Sequence, residues 1–117
     1  MPQTHEAKED KRNESVLVYI NGELYERNSA NISVFDSGFL LGDGVWEGLR
    51  LYSGKWAFWQ EHFDRLFDAA KAIDLNIGVS KDDLFEMLEL TRVKNKMYAD
   101  VHARLMVTRG RKLKPFQ

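Results

Sequence analysis

The chain has no cysteine, which excludes disulfides and thiolate metal sites and fits a reducing compartment. Charge of one sign is missing too. A formal net charge of -1 at pH 7 creates no field that would draw nucleic acid or an anionic membrane, so neither is expected as a partner. No apolar run approaches the roughly 18 residues of a membrane span. The N-terminus lacks the hydrophobic core of a secretory signal, and the cytoplasm is the expected location. There the Asn-x-Ser sequons at Asn13 and Asn31 meet no glycosylation machinery. The histidines, His5, His62 and His102, share no ligand spacing, so no metal site is expected. Without Cys or Gly-x-Ser-x-Gly there is no nucleophile set. Gly42-x-Gly44 precedes a strand-like run instead of following one and is no dinucleotide fingerprint. Internal repeats and low-complexity blocks are absent.

What is present describes one small soluble domain: 117 residues, 44% hydrophobic and 30% charged. Residues 1–15 are polar and hold no aromatic or β-branched aliphatic side chain, so burial cannot offset their ordering entropy and a disordered tail is expected. The domain then runs over 16–117. It opens with the β-prone run Val16 to Ile20, the hairpin signal Asn21-Gly22 and a returning strand, Glu23 to Glu26. Asp36-Ser37-Gly38 and Gly42-Asp43-Gly44 bracket Phe39-Leu40-Leu41, read as one helical turn or a bend. From Val45 to Tyr52 the residues alternate. Val45, Glu47, Leu49 and Leu51 share one face, and Trp46, Gly48, Arg50 and Tyr52 share the other. Ser53-Gly54 turns the chain into a further strand, Lys55 to Trp59.

Phe63, Leu66, Phe67, Ala70 and Ile73 recur at three and four residues and predict a helix from Gln60 to about Asp74. Ser80-Lys81-Asp82-Asp83 reads as a capping box with Asp in the place of Glu, opening a second helix that buries Leu84, Met87 and Leu88. Val101 to about Arg109 alternates again as the last strand. Two batches of strands around a helical pair define an α+β class, a largely antiparallel sheet with two helices packed on it.

Three groups of side chains carry candidate chemistry, each with a plain structural alternative. Arg65 points away from the apolar stripe of its helix, towards Ala69 and Ala72; it is either solvated or a planar fork of donors for a phosphate. Trp46 and Arg50 flank Gly48 on one strand face. They form either a cation–π pair or two walls of a pocket with Gly48 as the gap. His102 and Arg104 lie two apart on the last strand and either meet a carboxylate or face water. With the Gly-rich bend before Val45, Arg65 and Trp46 are expected around one cleft between strand and helix. His62 is expected to be a structural hydrogen-bonding residue.

In combination, Tyr19-Ile20-Asn21-Gly22-Glu23, Gly42-Asp43-Gly44-Val45-Trp46-Glu47, Arg50-x-Tyr52 and Glu61-His62-Phe63-Asp64-Arg65-Leu66 resemble the N-terminal domain of the fold-type IV (class IV) pyridoxal-phosphate aminotransferases. The likeness runs from about Val18 to Arg109. It implies that Arg65 holds the phosphate of pyridoxal 5'-phosphate, and that Trp46, Arg50, Arg104, His102 and Leu41 fall at substrate-pocket positions. His102 stands where branched-chain enzymes often have Tyr, and Leu41 where an aromatic is common. The substrates it implies are an amino acid, of branched-chain or D-amino-acid type, and a 2-oxo acid, with a homodimer as the working form. An aminodeoxychorismate lyase, which eliminates pyruvate, is the alternative chemistry. A non-catalytic oligomerising fragment is the alternative outside enzymes. In this family the Schiff-base lysine lies in a C-terminal domain, beyond Gln117, so the chain is expected to be a fragment, inactive alone.

Overall fold

A computed structural model describes residues 10–112. Strand β1 (Leu17–Ile20) pairs antiparallel with β2 (Glu23–Glu26) across the expected turn. Asn21 and Gly22 take φ of 50° and 94°, the left-handed pair that a two-residue hairpin needs and these two residues tolerate. Helix α1 (Ser37–Leu41) starts on Asp36, whose carboxylate accepts from the Gly38 N–H and the Thr108 hydroxyl. It stops at Gly42, where φ is 66°.

The second sheet has the order β4-β3-β5, with β3 over Gly44–Tyr52, β4 over Lys55–Trp56 and β5 over Val101–Thr108. All pairings are antiparallel, and the α+β class stands. Two corrections apply to the sheet. Among the described residues it is split into a two-stranded and a three-stranded unit. The strand expected to reach Trp59 ends at Trp56, because Phe58 takes φ 54° and ψ 34° and Trp59 opens helix α2 (Trp59–Ala72). From there the Trp59 ring packs edge-on to Phe63 at 5.5 Å and against Phe85 at 4.2 Å, contacts a strand residue at that point would forgo.

Phe63, Leu66 and Ala70 are the buried stripe of α2, as their spacing predicts. Ile73 is not part of it. The helix ends one residue earlier, and Ile73 is exposed while Leu75 turns inward. Helix α3 (Lys81–Lys94) carries both bonds of the capping box, Ser80 side chain to Asp83 and back. Leu84 and Leu88 are buried, and Met87 only half so. Leu49, Leu51, Trp56, Phe63, Leu66, Leu84 and Leu88 make one core between sheet and helices. The Arg109 guanidinium binds the Asp43 carboxylate at 2.7 Å and the carbonyls of Ile73 and Asp74. That grip ties the bend before β3 to the end of α2.

Of the segment 1–15, residues 10–15 are described. Asp10 caps a 3-10 turn over Lys11–Asn13 and pairs with Arg12 at 2.7 Å. The rest of the expected tail, residues 1–9, lies outside the described residues, as does 113–117.

Candidate functional site

The alternation read along β3 holds. Glu47, Leu49 and Leu51 are buried beneath the helices, while Trp46, Arg50 and Tyr52 are exposed on the opposite face. Register sets β5 beside it. Trp46 lies opposite Met106, Gly48 opposite Arg104 and Arg50 opposite His102. Four of the predicted site residues, Trp46, Arg50, His102 and Arg104, are thereby gathered on one open face. Gly48 sits between them, and a Cβ added there would come within 2.9 Å of His102 Nε2. The bare glycine lets the imidazole lie across the strand.

The cation over Trp46 is not Arg50. Arg104, from the neighbouring strand, holds its guanidinium 4.4 Å from the indole centroid, and Arg50 lies 5.9 Å from the Tyr52 ring. Diagonal neighbours on adjacent strands are in reach of long side chains, which a single-strand reading does not see. Trp46 keeps 55% exposure, an aromatic surface open to a partner molecule.

Behind the sheet stands a second group, and its centre was not foreseen. Glu47 is buried beneath α2. Its Oε1 meets His62 Nδ1 at 2.6 Å and Arg65 Nη2 at 2.6 Å, and its Oε2 accepts from Arg65 Nε at 2.9 Å. The Arg65 hydrogen bonds, followed by those of His62, hold the Glu47 carboxyl below its usual range against the opposing effect of burial. The same bonds raise the Arg65 guanidinium above its ordinary value. His62 is a structural partner, as expected. One signal in the sequence would have found the cluster: an acid at an inward strand position facing a histidine and an arginine three apart on a helix.

Arg65 approaches β3 from the helix side through Glu47, whereas Trp46, the preceding residue, points to the other face. Adjacent residues of a strand cannot line one side of a sheet. The Arg65 side chain is 70% exposed. Among the described residues Nε and Nη2 are engaged by Glu47 while Nη1 donates to none. A phosphate fits there: one edge of the fork is anchored, and the other presents an unused donor in a fixed orientation. Leu41 ends α1 with its side chain exposed. The contacts that seat α1 beside the Gly44–Thr108 end of the sheet run through Asp36, Ser37 and Gly38, not through Leu41.

A small α+β domain with a basic, aromatic sheet face and a carboxylate-held arginine behind it is the class these observations define. The family model for amino-transferase class IV matches residues 44–115. A branched-chain-amino-acid aminotransferase-like protein of Arabidopsis thaliana is 42% identical over 101 residues, 86% of this chain and 18% of that protein. A D-alanine aminotransferase of Listeria monocytogenes is 43% identical over 93 residues, 80% of this chain and 32% of that protein. The fold matches the solved structure of a branched-chain amino acid aminotransferase from Escherichia coli with a TM-score of 0.76, at 26% identity over 82% of this chain and 34% of that one. The chain thus belongs to the class IV aminotransferase family and spans about a third or less of the length of these relatives.

Proposed function

We propose that this chain is the smaller, N-terminal part of a pyridoxal-phosphate-dependent transaminase. The enzyme would move an amino group between an amino acid, of branched-chain or D-amino-acid type, and a 2-oxo acid. The observation that carries this reading is the open face on which Trp46, Arg50, His102 and Arg104 surround the bare backbone of Gly48.

Both substrates carry a carboxylate, and Arg50 and Arg104 offer paired planar donors for it. His102 adds a ring nitrogen above the gap at Gly48. Trp46, held under the Arg104 guanidinium, gives the substrate side chain an apolar wall. Leu41 adds an exposed apolar group from α1. Arg65 holds the cofactor phosphate through its unused edge, and Glu47 keeps the guanidinium from rotating away. When bound, pyridoxal phosphate supplies an electron sink for the carbon that carries the amine.

Relatives named for branched-chain and for D-alanine substrates are equally similar, so both types remain within the proposal. The lysine that would hold the cofactor covalently comes from outside these residues. Lys55, Lys71, Lys81, Lys94 and Lys96 are all exposed, and Lys81 pairs with Asp64 at 2.8 Å. The 117-residue chain therefore performs no transfer by itself, and the working form is a cytoplasmic homodimer.

The test is amino transfer by the product of the complete reading frame, supplied with pyridoxal phosphate, 2-oxoglutarate and either L-leucine, L-valine or D-alanine. Transfer from one donor type, and none by the isolated chain, is the expected result. Failure with every donor, or release of pyruvate from aminodeoxychorismate instead, would overturn it.

A further inference from the structure

Arg65 is a long side chain on an open surface, and among the described residues its guanidinium hydrogen-bonds to Glu47 alone. A side chain of that length has many rotamers within reach, and holding it in one costs entropy. The direction of Nη1, the edge left for a phosphate, is therefore only as well defined as the carboxylate that grips the other edge.

The last torsion of a glutamate is broad and roughly two-fold. The bonds between Glu47 and Arg65 fix the two groups relative to each other, yet leave the pair free to swing together. A further bond, from a different direction, removes that freedom. His62 supplies it. Its Nδ1 stands 2.6 Å from Glu47 Oε1, the oxygen that also accepts from Arg65 Nη2 at 2.6 Å. One lone pair of Oε1 goes to the imidazole and the other to the guanidinium, while Oε2 accepts from Arg65 Nε at 2.9 Å.

His62 and Arg65 are three apart on α2, neighbours along one face of the helix, and Glu47 meets them from the buried side of β3. The inner end of the assembly is enclosed and the outer end is open. The Glu47 carboxyl, held below its usual range, is ionised at neutral pH and can only accept. The nitrogen that faces it must therefore carry the proton. That selects the Nδ1–H tautomer of His62. The neutral ring and the imidazolium both donate from Nδ1, so the bond does not depend on the charge of His62.

We infer that His62 is a positioning residue for phosphate binding. Through Nδ1–H it fixes the Glu47 carboxylate, and through that carboxylate it aims the outward edge of Arg65. The inference rests on the phosphate role proposed for Arg65 and adds the residue that makes the grip rigid. A histidine that merely satisfied a buried acid would have no effect on how tightly a phosphate is held.

Two variants separate these roles. His62→Leu removes the donor; His62→Asn restores one, its amide nitrogen standing as many bonds from Cβ as Nδ1 does. Each is used with native helix content confirmed by circular dichroism, and His62→Ala replaces His62→Leu if the larger side chain disturbs packing. Nitrogen-15 relaxation of the Arg65 Nε–H in the 117-residue chain reads the positioning without any ligand. The order parameter should be near about 0.85 in wild type and His62→Asn, and below about 0.6 in His62→Leu. Equilibrium binding to the complete gene product reads the consequence. For pyridoxal phosphate the dissociation constant should rise about threefold or more in His62→Leu and recover in His62→Asn. For pyridoxal, which has no phosphate, it should not change.

An Arg65 order parameter untouched by His62→Leu overturns the inference. So does an equal loss of affinity for pyridoxal and pyridoxal phosphate, or a failure of His62→Asn to restore either readout. Arg65→Ala in the same binding assay tests the underlying reading. If it leaves pyridoxal phosphate binding unchanged, the phosphate role of Arg65 fails and the inference with it. Weaker binding in Arg65→Ala beside unaltered binding in His62→Leu overturns the inference alone.

Discussion

The two faces of the β3–β5 sheet are made from alternate residues of the same strands. Towards the helices, Leu49 and Leu51 are sealed against Phe63 and Leu66, and the single acid among them, Glu47, is matched by His62 and Arg65. On the other side Trp46, Tyr52 and Met106 stay half exposed among Arg50, His102 and Arg104. A polar group on the closed face has to be fully partnered, since an unpaired buried charge is costly. On the open face, Arg104 and Arg50 lie over Trp46 and Tyr52, which stay half exposed. One face stabilises the domain; the other is the proposed binding face.

That contrast can be broken most forcefully in the core. Phe63→Ala removes a ring with 0% exposure and should lower stability by about 3–5 kcal/mol, read as a fall in the urea midpoint of the 117-residue chain. A loss below about 1 kcal/mol would show that the closed face is not packed as a core.

Glu47→Gln comes next, at about 1–3 kcal/mol at neutral pH, the exposure of Arg65 having moderated the gain from the ion pair. The folded Glu47 carboxyl titrates below its usual value. Its contribution is therefore complete above the unfolded pKa of roughly 4.3 and disappears as pH falls through the lower folded value. Urea unfolding at pH 7, 5 and 3 should find the gap between wild type and Glu47→Gln constant from 7 to 5 and narrowed at 3. A gap that widens in acid would reverse the sign assigned to the cluster.

Asn95→Ala, at about 1–2 kcal/mol, sharpens the comparison at the sheet edge, since two part-buried bonds to Leu17 are lost. Amide exchange at Leu17 should rise with it. Smallest of all is Trp46→Ala on the open face, within about 0.5–1 kcal/mol. A larger loss would mean that the Trp46–Arg104 pair is structural.

Local order was legible wherever it depends on neighbours in sequence. Asn21-Gly22, the Ser80–Asp83 capping box and the alternation of Val45 to Tyr52 all announce themselves in a few residues, and each is present. Partnerships across the fold were not. The cation over Trp46 comes from a strand 58 positions later, and only register puts Arg104 there. Phe58 gives no sign in its sequence context that it will turn left-handed and begin a helix. Spacing alone did not show that pleating sends Trp46 and Glu47 to opposite faces and that Arg65 binds Glu47. The family was readable from spaced motifs all the same, because their order survives whichever face each residue takes.

Arg65 is the residue on which the cofactor assignment rests. Equilibrium binding of pyridoxal phosphate to the complete gene product, wild type against Arg65→Ala, reads it directly. The dissociation constant should rise about tenfold or more, while the urea midpoint stays near that of wild type. An unchanged dissociation constant in a folded Arg65→Ala protein would contradict the assignment.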